Sequence, residues 1–367
     1  MKILKSCGRF MWMFAALVPT YLQAEIQYNT YMPGTHQTTI NTAKLGEVLA
    51  SQTDGELAIS VLSGGSVASG KATLSFISDR LVDAGLVTDV YVPGDLPHTV
   101  IASSMALLGE NAWVMSGAMT EYSLLGCKGC KQDLDKLGVM NFGHHSTSPY
   151  KLLCNTDVST VADLKGKKIK AAAPWTRLVA SWGAVPLNIP FNDVYEGLQR
   201  GQMNCAFSPE SAMEDYGLYD VLSHVVDFPG GTFHGFHSFV LNRDVWESFT
   251  EEQQAILLKE IPHFIASNTA AYFESSRVSR EKAIESGIKY LPATEELKET
   301  IAKARQEEKE NSLAIARKRG VKNPEDNVKV FLEAVDKWTA LIGDQNPTPE
   351  EFSDMLVREV YSKVKFN

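Results

Sequence analysis

Two kinds of run follow one another along the first part of the chain: short runs in which apolar and polar residues alternate, and longer runs with helical spacing. The alternating runs predict strands, because successive side chains of a strand point to opposite faces. In the first helical run Leu45, Val48 and Leu49 share one face. This order is typical of an α/β sheet with parallel strand pairs. The predicted elements are strands at 25–32, 56–65 and 86–93 and helices at 36–55 and 72–85.

The same alternation returns in the second part of the chain. Two strands are predicted around a crossover within residues 138–155, and Asn192 is the predicted N-cap of the last helix of this part. In open α/β sheets the loops that follow parallel strands are where ligands bind. The other predicted elements are strands at 167–174, 185–191 and 203–209 and helices at 175–184 and 192–202.

From Thr250 onward the pattern is helical. Long helices are predicted at 250–287, 293–320 and 325–342. The stretch 295–311 mixes many charges of both signs, which is typical of a solvated helix face with pairs at i and i+4. The chain therefore changes from α/β to all-helical towards its C-terminus.

Length and charge narrow the class of protein. A chain of 367 residues is long enough for two lobes, each with its own core. The formal net charge of −9 argues against a nucleic-acid partner, which would select a basic face.

Residues 1–24 have the three parts of a secretory signal peptide. Three basic residues precede a short apolar run at 10–21, and Ala24 ends a segment suited to cleavage. The apolar run is shorter than the ~20 residues that a membrane anchor needs. We therefore predict cleavage after Ala24, a periplasmic location, and no direct insertion of the mature protein into the membrane.

Four cysteines remain after this cleavage, in a compartment where they can pair. Cys127 and Cys130 enclose a lysine and a glycine, and no thioredoxin-like strand leads into them. This pattern favours a small surface disulfide over a redox-active pair. The spacing of cysteine and histidine offers no zinc site.

Motifs for catalysis are absent from the sequence. It contains no G-x-S-x-G or H-E-x-x-H, and the Gly-Lys step in "LSGGSVASGKAT" lacks the spacing of a phosphate-binding loop. His144, His145, His234 and His237 are typical of histidines that bond locally near strand ends. We predict no catalytic residue, no metal and no cofactor, and hence an exported solute-binding protein. The alternatives are an exported enzyme that uses histidine or cysteine, and a scaffold protein without a ligand.

Three motifs in order resemble the solute-binding proteins of tripartite ATP-independent periplasmic (TRAP) transporters, of the dicarboxylate-binding type. The motifs are "DLKGKKIK" at 163–170, "WGAVPLNIPFNDVYEGLQRGQMN" at 182–204 and "FVLNRDVWESFTEEQQ" at 239–254. A looser resemblance extends from Glu25 to about Gly343. An ordered set of this kind is far more specific than any one motif.

The resemblance implies an α/β fold with two lobes, similar to a type II periplasmic-binding protein, and long C-terminal helices that bridge the lobes. It also implies a function: to capture a small organic solute in the cleft and deliver it to membrane permease subunits. Cys154 and Cys205 would lie on neighbouring strands, either bridged or as two buried thiols. The implied domains are lobe one at 25–148 and about 238–275, lobe two at 149–237, and the long helices at 276–367.

Two residues depart from the family pattern. Lys170 stands where the family has an arginine that clamps a ligand carboxylate, and Asn204 stands where it has an aspartate. An ammonium fixes one direction, whereas a guanidinium offers two parallel donors. We therefore expect a ligand other than a plain C4-dicarboxylate. A structural role for Lys170, paired with a nearby acid, is the alternative.

The candidate ligand-binding residues follow the predicted strands or lie near the crossover. An indole face attracts cations, and Glu210 offers an acid for an ammonium group. This combination favours a small amine or zwitterion such as ethanolamine, and the alternative is a small organic monocarboxylate held by Lys170. For each aromatic residue a core position is the competing interpretation. The candidates are Tyr31, His36, Asp89, Tyr91, Tyr150, Lys170, Trp175, Phe207 and Glu210.

Overall fold

A computed structural model describes residues 24–172 and 174–366. The predicted signal peptide lies outside these residues, apart from its last position. Among the described residues no helix is both long enough and apolar enough to cross a membrane. The strands are β1 Ala24–Asn29, β2 Leu57–Leu62, β3 Ala84–Thr88, β4 Val139–Asn141, β5 His144–His145, β6 Lys151–Cys154, β7 Lys168–Lys170, β8 Val185–Leu187, β9 Cys205–Ser208, β10 His224–Asp227, β11 Phe236–Asn242 and β12 Lys289–Pro292.

Helices surround these strands, with short 3-10 turns between some of them. The helices are α1 Gln37–Gln52, α2 Thr73–Ser78, α3 Thr99–Ser103, α4 Ala112–Glu121, α5 Lys128–Lys136, α6 Val161–Leu164, α7 Trp175–Ser181, α8 Val194–Gln199, α9 Ala212–Asp215, α10 Arg243–Ser248, α11 Glu251–Glu285, α12 Glu295–Lys318, α13 Pro324–Ile342 and α14 Pro349–Glu359.

The strands form two separate sheets, and each sheet is the centre of one lobe. The first sheet has the order β2-β1-β3-β11-β4, with β5 also paired to β11. In it β1 is parallel to β2 and β3, and β11 is antiparallel to β3, β4 and β5. We call the part around this sheet lobe one. The parallel pairs place the ends of β1 and β3 at the same edge, where their following loops meet.

The second sheet, the centre of lobe two, has the order β12-β10-β6-β9-β7-β8. Strand β7 is parallel to β8 and β9, whereas β6 is antiparallel to β9 and β10. The loops after β7, β8 and β9 therefore leave the sheet at one edge. Strand β12 lies in the segment 276–367 that the sequence assigns to helices, and it joins this sheet beside β10.

The chain passes between the lobes in two short segments that lie side by side. Residues 146–150 connect β5 to β6, and residues 228–235 connect β10 to β11. Backbone hydrogen bonds join the two segments, from Thr147 N–H to Phe233 O at 2.9 Å and from Tyr150 N–H to Gly231 O at 2.8 Å. A paired crossover of this kind is a suitable place for the lobes to rotate about.

The third connection is α11, which contacts both lobes. It begins at Thr250 with a capping box closed by Gln253. Its 35 residues span about 52 Å at 1.5 Å per residue. It packs on α1, α4 and α14 on one side and on α9 and β12 on the other. The three predicted long helices correspond to α11, α12 and α13, so this part of the prediction agrees with the structure.

Both cysteine pairs are disulfides. Cys154 and Cys205 are register partners on β6 and β9, with Cα atoms 4.1 Å apart. Cys127 and Cys130 are joined at the start of α5 with Cα atoms 5.2 Å apart. The expected surface position of the second pair is wrong, because both of its cysteines are buried. The predicted N-cap at Asn192 is also wrong, since a 3-10 turn at 191–193 leads into α8 and its N-cap residue is Asp193.

Candidate ligand-binding site

A cavity lies between the two lobes, at the edges where the parallel strands end. Lobe one contributes loops after β1 and β3, and lobe two contributes loops after β7, β8 and β9. The cavity has a volume of about 50 Å³, counted as the space that the centre of a water molecule can occupy. One water needs about 10–15 Å³ by this measure. The cavity therefore has room for a compact organic molecule.

Aromatic rings form a large part of the cavity wall. Tyr150 stacks on Trp175 with ring centroids 4.0 Å apart, and the Trp175 indole N–H donates to Gly230 O at 2.6 Å. The Tyr31 hydroxyl bonds with the Thr88 hydroxyl at 2.6 Å. Because these bonds fix the rings, the wall offers preformed flat, apolar surfaces. The aromatic lining residues are Tyr31, Tyr91, Tyr150, Trp175, Phe191, Tyr216, Phe233, Phe236 and Tyr272.

Lys170 places a positive charge on this wall. It is the last residue of β7, is 4% exposed, and its ammonium lies 4.3 Å from the centre of the Phe191 ring. Among the described residues no acidic oxygen lies within 4 Å of it to form an ion pair. Burial lowers the pKa of Lys170 to about 8, so most of the ammonium remains charged at pH 7. The pairing with a nearby acid that the sequence left open is not observed.

His36 and Asp215 face each other across the lobe boundary. Thr38 N–H donates to His36 Nδ1 at 3.2 Å, so the neutral ring carries its proton on Nε2. That nitrogen lies 3.4 Å from Asp215 Oδ2. Burial lowers the pKa of His36 to about 4 and raises the pKa of Asp215 to about 7. Both side chains line the cavity.

The nine predicted site residues fall into two groups. Six lie on the cavity wall, and Asp89, Phe207 and Glu210 lie outside it. Phe207 is fully buried behind the wall, with its ring centroid 5.7 Å from that of Trp175. The six on the wall are Tyr31, His36, Tyr91, Tyr150, Lys170 and Trp175.

Asp89 and Glu210 are acids that lie away from the cavity wall. Asp89 is packed so closely against Gly235 that a Cβ atom there would lie 2.3 Å from Oδ1, and burial raises the pKa of Asp89 to about 7. Glu210 faces Arg280 at 3.6 Å, beside the Lys151–Asp227 ion pair. Among the residues that the structure describes, the acid on the cavity wall is Asp215.

Several wall residues were missed by the sequence analysis. Phe191 follows β8 and satisfies the same strand-end rule that selected Trp175. Asp215 and Tyr216 lie seven and eight residues beyond β9, at the end of α9, so the rule does not reach them. Tyr272 lies inside α11, where no local signal marks a ligand contact.

Among the described residues no group of three or more histidine, cysteine, aspartate or glutamate side chains could hold a metal ion. In the part of the chain that the structure describes, a small cavity rich in aromatic side chains, with the Lys170 ammonium at its wall, lies between two α/β lobes, and this arrangement is typical of two-lobed solute-binding proteins. The chain belongs to the bacterial extracellular solute-binding protein family 7, whose family model matches residues 28–314.

Solved structures agree with this family. A TRAP periplasmic solute-binding protein from Bordetella bronchiseptica with bound mandelate is 22% identical, with a TM-score of 0.73, over 85% of this chain and 99% of that chain. A marine metagenome TRAP protein specific for aromatic acids is 18% identical, with a TM-score of 0.76, over 86% and 99%. A marine metagenome TRAP protein specific for pyroglutamate is 15% identical, with a TM-score of 0.74, over 86% and 99%.

The predicted two-lobed α/β fold and the resemblance to TRAP solute-binding proteins are thereby confirmed. The family is one of extracellular binding proteins, which agrees with the predicted periplasmic location. Its members bind solutes, so the prediction that the protein is not an enzyme is also confirmed.

Proposed function

We propose that the protein is the periplasmic subunit of a TRAP transporter, and that it binds a small organic carboxylate between its lobes for delivery to membrane permease subunits. The observation that carries this proposal is the Lys170 ammonium, buried at the cavity wall without an acidic partner among the described residues. A buried charge costs free energy unless it is paired, and a ligand carboxylate would supply the pair.

The aromatic wall supports a solute with a flat, apolar body. Ring faces such as those of Tyr150 and Trp175 favour stacking on a planar group. Two of the structural relatives have acids of this kind bound: mandelate in the Bordetella bronchiseptica protein, and benzoate in a Rhodoferax ferrireducens protein. With one ammonium instead of a guanidinium fork, the site suits a monocarboxylate better than a dicarboxylate.

An amine or zwitterion such as ethanolamine stays a prediction. Glu210, the acid assigned to its ammonium group, lies outside the cavity wall, and Asp215 is the acid on the wall. A free amine would also lie in the same small cavity as the Lys170 ammonium, where like charges repel. The arrangement therefore supports a carboxylate more strongly than an amine without one.

Capture would proceed by closure of the lobes about the paired segments 146–150 and 228–235. Closure removes the ligand from water, which strengthens the attraction between its carboxylate and Lys170. The closed form would present one continuous surface to the permease. In this scheme the moving bodies are lobe one at 25–148 and about 238–275 and lobe two at 149–237, with the helices of 276–367 packed on both.

Isothermal titration calorimetry on ligand-stripped protein tests the proposal. The panel contains benzoate, phenylacetate, mandelate and pyroglutamate, the carboxamide of each acid, succinate and ethanolamine. We expect at least one monocarboxylate to bind and its amide to fail. Lys170→Met should weaken the binding of that acid by about tenfold or more, since it leaves the carboxylate unpaired.

Lys168→Met is the matched control, because Lys168 lies on the same strand but is exposed. It should leave the affinity unchanged. Tight binding of ethanolamine with no response to any acid would contradict the proposed ligand class. Equal losses in the two lysine variants would show that Lys170 has no specific role.

A further inference from the structure

Asp215 is a buried acid on the cavity wall whose pairing within the protein is incomplete. Its side chain is 4% exposed, and its nearest basic group is His36 Nε2 at 3.4 Å. Among the described residues no lysine or arginine nitrogen lies within 4 Å of its carboxylate. A carboxylate oxygen that has lost its water requires a donor, and leaving it without one costs free energy.

The donors that the protein itself offers to Asp215 are His36 and the hydroxyl of Ser211, whose hydrogen bond opposes the rise in the pKa of Asp215. The His36 ring packs edge-on against Tyr272 at 5.7 Å and Tyr216 at 6.4 Å between ring centroids. The Tyr216 hydroxyl points to the sulfur of Met32 at 3.4 Å. Phe191 lies 4.7 Å from Tyr216 and also carries the Lys170 ammonium over its ring. Acid and ammonium are thus connected through Phe191 and Tyr216 along one wall of the cavity.

We infer that the solute carries, besides its carboxylate, a hydrogen-bond-donating group, a hydroxyl or an ammonium, that binds the Asp215 carboxylate. This inference rests on the proposed carboxylate at Lys170. The protein would then recognise two polar groups on a compact, flat body: an acceptor for Lys170 and a donor for Asp215. Asp215 sets the specificity within the class of small acids, because an acid without the donor leaves the buried carboxylate incompletely bonded.

Triplets of acids that differ at one position test this inference. Each contains a parent acid, its hydroxy derivative and its amino derivative: phenylacetate, mandelate and phenylglycine in one triplet, propanoate, lactate and alanine in the other. Titration into ligand-stripped wild-type protein should give a hydroxy or amino acid that binds about tenfold or more tightly than its parent. If the parent acid binds as tightly as its hydroxy and amino derivatives in both triplets, the inference is overturned.

Two substitutions assign the preference to Asp215. Asp215→Leu removes both acceptor oxygens, so the preference for the donor should disappear and the parent acid should bind as tightly as its hydroxy and amino derivatives. Asp215→Asn keeps one oxygen acceptor but removes the charge. It should preserve a preference for a hydroxyl and abolish a preference for an ammonium. A preference that survives in Asp215→Leu would also overturn the inference, and if that variant does not fold, Asp215→Asn and the wild-type triplets decide.

Glu214→Gln is the control, because Glu214 is the neighbouring acid on α9 but is exposed and paired with Lys282. It should leave every affinity in the triplets unchanged. Lys170→Met separates the two proposals: if parent acids bind through Lys170 without any preference for a donor, the proposed function stands and this inference fails. If no acid binds, both fail.

Discussion

Lys170 supplies a positive charge to the cavity wall, and this charge depends on pH within an accessible range. Burial lowers the pKa of Lys170 to about 8. Only the protonated form can pair with a carboxylate, so the affinity is full well below pH 8 and falls as the pH rises through it. Above that point the Kd of a parent acid such as phenylacetate should rise by about tenfold per pH unit, in proportion to the lost protonated fraction. Calorimetry between about pH 7.5 and pH 9.5 measures this slope.

Lys170→Arg is the matched variant for this experiment. A guanidinium stays protonated over the whole range and offers two parallel donors. The variant should therefore bind with an affinity that does not change between the same pH values. A wild-type Kd that is equally flat would mean that the Lys170 ammonium does not take part in binding.

Among the site residues, the sequence could predict those whose position follows from the order of strands and helices. Trp175 begins α7, five residues after the end of β7, and Tyr31 lies two residues after β1, so the rule for parallel strand ends places both near the cleft. The same rule selected Phe207 and Glu210. The Phe207 ring packs in the interior against Trp175, and the Glu210 carboxylate faces Arg280. Topology gives the edge of a sheet, whereas the direction of a side chain depends on packing between lobes that are distant in sequence. Asp215 and Tyr272 required the three-dimensional structure for this reason.

The two disulfides close loops of different length along the sequence. The Cys154–Cys205 bridge joins β6 to β9 across 51 residues, and the Cys127–Cys130 bridge spans 3. A longer closed loop removes more freedom from the unfolded chain. Replacing Cys154 and Cys205 by alanine should lower the free energy of unfolding by about 2–4 kcal/mol. Urea denaturation measures the loss, and the same change at Cys127 and Cys130 should cost clearly less. An equal or larger loss there would contradict the loop argument.

Glu308 fixes α12 on lobe one. Its side chain is buried, and its two carboxylate oxygens accept the backbone N–H groups of Leu107 and Leu108, each at 3.0 Å. Glu308→Gln replaces one acceptor oxygen by an NH₂ group that faces another donor. We expect a loss of about 1–3 kcal/mol in the free energy of unfolding. Glu307→Gln, at the exposed neighbouring position, should cost nothing measurable, and a similar loss in both variants would exclude the role given to Glu308.

Helices and strands were predictable from the sequence where the periodic pattern of apolar side chains was long or clear. The 35 residues of α11 keep a helical pattern throughout, and its start at Thr250 has a capping residue. Strand β12 is short and lies between long helices, so its four residues carry no pattern of their own, and only pairing with β10 makes it a strand. Asn192 has the residue type of an N-cap but lies within a 3-10 turn, which the preceding Pro190 introduces.

At the scale of the whole molecule, the buried histidines are neutral at pH 7. Burial lowers the pKa of His36 and His234 to about 4 and of His145 and His237 to about 3, and it also lowers the pKa of His144. Below about pH 6.5 the unfolded chain gains protons at these positions and the folded protein does not, so acid lowers the stability. The buried acids oppose this trend, because the raised pKa of each lets the folded form hold a proton that the unfolded form releases. They are Asp89, Asp215 and Glu308.

One substitution isolates the contribution of a single histidine. The His237 ring is buried, has no hydrogen-bond partner for either nitrogen among the described residues, and lies 4.1 Å from the His144 ring centre. His237→Phe keeps a flat ring and removes the proton site. Between about pH 6 and pH 4.5 the free energy of unfolding should fall less steeply with acid than in the wild type, by about 1.4 kcal/mol per pH unit. Chemical denaturation at several pH values gives both slopes, with His263→Phe, at an exposed position, as the control. If both variants keep the wild-type slope, protonation of His237 is not part of the acid response.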